Sequence, residues 1–201
     1  MKTINKVLCI LLTFICIALS ASAGISDQEE MIKRRAAEKV AQMNDYISFM
    51  ANKKKSQEVR RNYKKYALNL FMGKGFEYEE NGVPKTGVMM EVTSKYRKTV
   101  SHPLIRNYFQ NIIDMQYTDV KITSTEIANI KVSDLHQIDS NLFVCTCQYN
   151  QAFIGYKDGR PAYKDITTKR IKCYVKAEDT EDGTEYVIML GDITAEKTRE
   201  M

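Results

Sequence analysis

The chain has no tryptophan, only three prolines and only two histidines in 201 residues, and its nine glycines follow no period. Scarce proline and aperiodic glycine exclude collagen-like and mucin-like chains, and a hydrophobic share of 44% excludes a disordered one. Long apolar stretches are also missing. The longest, Val7 to Leu19, covers thirteen residues, short of the roughly 20 that cross a bilayer as a helix. There is no glycine-rich phosphate loop, no Gly-x-Ser-x-Gly elbow and no His-Glu-x-x-His pair, so no motif calls for a cofactor or a metal.

What is present begins with a leader. Lys2 and Lys6 precede the apolar run, and Ala21-Ser22-Ala23 follows it, the pattern of a secretory signal peptide cleaved after Ala23. Cys16 lies inside the run behind Phe14 and Ile15, which does not suit lipidation. Residues 24–201 are then expected to form one soluble domain, periplasmic or extracellular, with no membrane span and no nucleic acid as partner. Its three cysteines, Cys145, Cys147 and Cys173, allow at most one internal disulfide, so stability must come from a hydrophobic core.

Ser26 and Glu29 have the spacing of a capping box, and a first helix is predicted from about Asp27 to Ala51. Ile32, Ala36, Val40, Met43, Ile47 and Met50 give it an apolar stripe. A second helix follows the polar break Asn52 to Ser56, with Val59, Tyr63, Tyr66, Ala67 and Leu70 as its stripe, and ends at Gly73 and Gly75. Val88, Met90 and Val92 alternate as a short strand. A third helix is expected from Ser101 to Pro103 onward, burying Ile105, Tyr108, Phe109, Ile112 and Met115.

After Gln116 the apolar period falls from about 3.6 to about 2. Strands are predicted near Val120 to Ile122 and Ala128 to Val132, with an irregularity at Glu126 and Ile127, then over Leu142 to Ile154, Ala162 to Ala177 and Glu185 to Ile193. Turn residues at Asp139-Ser140-Asn141, Lys157-Asp158-Gly159 and Asp182-Gly183 make this an antiparallel meander. Phe143, Cys145 and Cys147 share a face, as do Ile171, Cys173 and Val175. Matching those faces calls for a three-residue loop, Lys157 to Gly159, which sets Cys173 opposite Phe143 with Cys145 diagonal, as buried free thiols.

The element order, together with Tyr149 to Tyr156, Lys164-Asp165-Ile166-Thr167 and Met189-Leu190-Gly191-Asp192, resembles secreted bacterial domains of the nuclear transport factor 2-like superfamily. The resemblance implies an α+β fold of the cystatin-like or nuclear transport factor 2-like kind, in which N-terminal helices pack on a curved antiparallel sheet that encloses a conical pocket. It transfers no catalytic residue.

The implied function is a non-enzymatic binding domain that takes a small ligand or a protein in the cone or on the sheet face. The alternatives are an acid-base enzyme of the isomerase or dehydratase kind in the same cone, or a subunit of an envelope assembly, with a homodimer as one form. A buried ionisable cluster at the cone floor marks the enzyme, and an apolar floor marks the binding domain. Tyr63, Tyr108 and Tyr149 are the candidates for pocket lining, since pockets use aromatic walls with polar tips. His102, His136, Asp114 and Asp192 are the titratable groups considered for catalysis, with both histidines expected to be partly exposed.

Cys145, Cys147, Cys173 and His136 lack the usual spacing of a zinc site, and Glu178 to Gly183 is better suited to a solvated hairpin tip than to a calcium loop. Charge is unevenly spread: residues 53–106 carry thirteen Lys and Arg against five Glu, while residues 107–201 carry eleven against fifteen acids. Lys95, Arg97, Lys98 and Arg106, around Tyr96, are the candidates for contact with an anion or an acidic partner, set against the ordinary use of basic residues for solubility.

Overall fold

The computed structural model describes residues 2–80, 82–94, 96–123 and 126–201, with side chains for all of these except 2–26, 97, 98 and 197. The expected leader lies outside the residues whose side chains are described. Among the described residues no helix is long and apolar enough to cross a membrane.

Three α-helices pack with a strongly curled antiparallel sheet that forms a half-barrel. Helix α1 is Lys2–Ala51, α2 is Gln57–Leu68 and α3 is Ile105–Asp114. The sheet runs in the order β10 (Gly183–Arg199), β9 (Arg160–Thr180), β8 (Leu142–Lys157), β5 (Asp119–Thr123), with β6 (Lys131–Val132) and β7 (His136–Asp139) also paired to β8. Two small hairpins precede it: β1 (Tyr78–Glu80) with β2 (Val83–Lys85), and β3 (Val92–Ser94) with β4 (Arg97–Ser101).

The stripe of α1 is buried along its whole length, from Ile32 through Met50, as its three- and four-residue spacing requires. Its start differs from expectation. The helix does not begin at Asp27 but continues back to Lys2, and Glu29 bonds Lys33 one turn on, 2.9 Å away, while the Ser26 side chain of the expected capping box lies outside the described residues. Helix α2 does begin with a cap, because the Ser56 hydroxyl accepts from the Val59 amide at 3.3 Å. Its expected stripe is half wrong: Ala67 and Leu70 are buried, but Val59 and Tyr66 are exposed, Tyr66 by 54%. Tyr66 joins Tyr46, Phe49 and Tyr63 in an aromatic cluster between α1 and α2, with Phe49 and Tyr63 ring centroids 4.6 Å apart and Lys55 lying over both rings.

In place of the strand expected at Val88 to Val92, residues 88–91 run beside the middle of β10, with Met90 bridged in parallel to Ile193. The Met89 amide donates to Asp192 Oδ1 at 2.7 Å, and the Glu91 amide donates to the Ile193 carbonyl at 2.8 Å. Asp192 is turned to this task by a bulge at Gly191 and Asp192, where two residues face one on β9. Gly191 has a second reason to be glycine, because a Cβ there would meet the Tyr174 ring at 2.6 Å. Tyr174 is buried on the outer face and donates to Glu80, which also accepts from Lys172 at 2.6 Å. The first hairpin is thereby clasped to β9.

The β8–β9 connection corrects the expected loop. It is a two-residue turn, Asp158-Gly159, with both residues in the left-handed region at φ 50° and 76°, and Lys157 pairs with Arg160. The faces still match because Ala162 bulges out between the pairs Tyr156↔Pro161 and Gly155↔Tyr163. Cys173 therefore lies opposite Cys145, not Phe143, and Cys147 is the diagonal neighbour, with its Sγ 3.6 Å from that of Cys173. All three thiols are buried and free.

Candidate functional site

The concave face of the sheet changes character along β9. From Ile171 through Cys173 to Val175 it is apolar, but the same inward parity continues through Lys169, Thr167, Asp165 and Tyr163. Lys169 and Asp165 are 4% and 6% exposed, and most charged side chains are found at such depth only when paired or functional. On β8 the opposing residues are Tyr149, Gln151 and Phe153. These residues, with α3 and β3, surround a cavity of about 260 Å³, lined by Tyr108, Gln151, Phe153, Tyr163, Asp165 and Lys169 among others.

Several of the polar groups are held in place by hydrogen bonds. Tyr163 donates its hydroxyl proton to Asp165 Oδ2, and Ser94 Oγ lies 3.0 Å from the same hydroxyl. Gln151 Nε2 donates to Asn44 Oδ1 at 3.1 Å, so buried Asn44 of α1 orients the amide. Thr167 and Thr198 hydroxyls are 2.9 Å apart, and Thr198 bonds Thr93. Lys169 Nζ lies 3.8 Å from Met90 Sδ and 5.5 Å from the centre of the Tyr108 ring, the geometry of a cation over an aromatic face. Met90 is there because residues 88–91 are fastened to β10.

Burial lowers the Lys169 pKa to about 8, with Asp165 and Glu91 opposing that shift. Burial likewise raises Tyr108, helped by the charge of Asp165, and raises Tyr149. Both phenols therefore keep their protons as donors. Tyr149 Oη is buried and has no hydrogen-bond partner among the described residues.

The sequence-derived candidates fall in different places. Tyr108 lines the cavity; Tyr149 sits beside it, in register with Lys169; Tyr63 belongs to the aromatic cluster of α1 and α2. Lys95 and the side chains of Arg97 and Lys98 lie outside the described residues. Arg106 is occupied structurally, donating to the Gly75 and Thr86 carbonyls at 3.0 Å each and stacking over Phe76. His102 faces Glu91 at 3.6 Å with its side chain 54% exposed, His136 is exposed, and Asp114 accepts from Gln110 on the outside of α3.

The residues that sequence reasoning passed over are Asp165, Lys169, Tyr163, Gln151 and Thr167. Their signal was available in the strand parity: every second residue back from Ile171 is polar or ionisable at a position that alternation sends inward.

A larger open groove of about 870 Å³ runs between α1 and β10, but its charged side chains, such as Arg35, Glu38 and Glu185, are exposed. Among the described residues no group of three or more His, Cys, Asp or Glu is placed to hold a metal ion. No family model matches the chain, and no curated protein or solved structure matches it. The smaller cavity, with its buried ionisable wall, is the place in the described structure where chemistry is concentrated.

Proposed function

We propose that the chain takes a small molecule into the cavity between α3 and the concave sheet, and that the ionisable groups there do acid-base work on it. The observation that carries this is the burial of both Asp165 and Lys169 on the concave face of β9, one on each side of Thr167, where the same face further along the strand is apolar core. Buried charge costs stability, and in a concave, partly aromatic pocket that cost is the usual accompaniment of a functional site. By the criterion set out from the sequence, a buried ionisable floor favours the enzyme alternative over passive binding.

The roles follow from chemistry. Asp165, oriented by the Tyr163 hydroxyl, is the base; Lys169, with a pKa lowered to about 8, is close enough to neutrality to donate or accept a proton. The volume of about 260 Å³ lies just below the usual range for drug-sized ligands, so the substrate is small. The leader pattern at residues 1–23 supports an exported site of action.

The test is a screen of small polar metabolite-like compounds by NMR in deuterated buffer, which reads binding and exchange of carbon-bound protons together. Binding with turnover that Asp165→Asn abolishes while binding survives is the expected result. Absence of any binder, or binding that persists after Ser94→Phe fills the cavity mouth, overturns the proposal.

A further inference from the structure

We infer that the ligand of this cavity is a small organic acid, an apolar or aromatic body with a carboxylate set against Lys169; the inference rests on the cavity being a ligand site. Lys169 presents three N–H donors, yet its contacts among the described residues are soft: a thioether sulfur at 3.8 Å and a tyrosine π face at 5.5 Å. No carboxylate among the described residues is within 4 Å of its Nζ. Asp165 and Glu91 act on it through space, without contact.

The groups around it are donors as well. The Tyr108 and Tyr149 hydroxyls hold their protons, and Tyr149 Oη has no acceptor among the described residues. The Gln151 amide, which would otherwise compete for an acceptor, is committed to Asn44. This end of the cavity thus places Tyr108 beside a buried cation, with Tyr149 behind the wall, and a carboxylate supplies both the opposite charge and several acceptor sites in one compact group. Ile112, Met115, Tyr117 and Phe153 form an apolar and aromatic part of the wall, which suits an apolar or planar body, while Asp165, already engaged by the Tyr163 hydroxyl, lines the same cavity two inward positions away from Lys169.

The test uses the purified full chain at pH 7 with benzoate and phenylacetate as probes, against the neutral benzamide and phenylacetamide of nearly the same shape. The acids should bind at least about tenfold tighter than the amides, a gap of about 1.4 kcal/mol. The preference should vanish in Lys169→Met, which keeps the packing volume, and survive in Asp165→Asn. Acid binding should also weaken as pH rises through about 8, where the ammonium loses its proton while Tyr108 and Tyr149, the phenols facing it alongside Asp165 and Glu91, do not titrate.

If amides bind as well as acids, or if Lys169→Met keeps the preference, the inference is wrong while the cavity remains a ligand site. If neither class binds and the wider screen finds nothing, both fall together.

Discussion

The two ends of one concave face make opposite uses of the same backbone. At one end Phe143, Cys145 and Cys147 face Val175, Cys173 and Ile171; at the other Tyr149, Gln151 and Phe153 face Lys169, Thr167 and Asp165. Strand geometry, pairing and burial are alike, and only the side chains change. The apolar end belongs to the core that α1 covers, whereas the polar end borders a cavity and buries an ammonium with soft partners. One end contributes stability, and the other holds charge at its expense.

Substitutions at the two ends should therefore differ in sign. Ile171→Ala, at a fully buried position, is expected to lose about 3 kcal/mol in urea unfolding, from lost burial plus the cavity left behind. Lys169→Met, two residues away on the same face, is expected to gain about 2 kcal/mol at pH 7, or roughly 4–8 °C in Tm, by removing a buried charge. A loss at both positions would make the polar end structural and dissolve the contrast.

The gain should depend on pH in a set direction. Between about 8 and 10.5 the folded lysine has released its proton and the unfolded one still holds it, so the unfolded state binds more protons and wild-type stability rises with pH. The advantage of Lys169→Met over wild type should shrink by about 1 kcal/mol between pH 8 and pH 9, and taking the difference between the two proteins cancels other titrating groups. A constant gap would mean that the ammonium is not strained by burial.

The smallest effect separates charge from polarity. Thr167→Val should lose about 1 kcal/mol by thermal unfolding, because it leaves the Thr198 hydroxyl short of a partner, although it too makes the polar end more apolar. A gain there would mean that every polar group at this end is uncompensated, the ammonium included.

Much of this arrangement can be traced in the sequence. The stripe of α1, the buried side of α3 and the three long strands follow from periodicity alone, since burial selects residues at 3.6 or 2. Tyr66 and Val59 mislead because a helical stripe says which residues share a face, not whether another layer covers it. The hairpin of β3 and β4 and the short β7 escape notice because their residues are largely polar, and those of β7 are all exposed. Most of the cavity was hidden for a different reason: attention to the apolar members of β9 obscured the equally inward Lys169 and Asp165, which patterning treats as surface residues. The position of Met90 beside Lys169 depends on contacts between segments about a hundred residues apart, which no local pattern encodes.

The bulge at Ala162 makes that residue a spare link in the chain. Straightening the ladder with the same sequence would pair Gly155 with Ala162 and turn Lys164, Ile166 and Thr168 toward the cavity, whereas removing Ala162 would leave Gly155 against Tyr163 and every wall residue where it is. Length changes of one residue are thus harmless at this point and ruinous a few positions further along β9, so related chains should carry their insertions and deletions on the turn side of Tyr163.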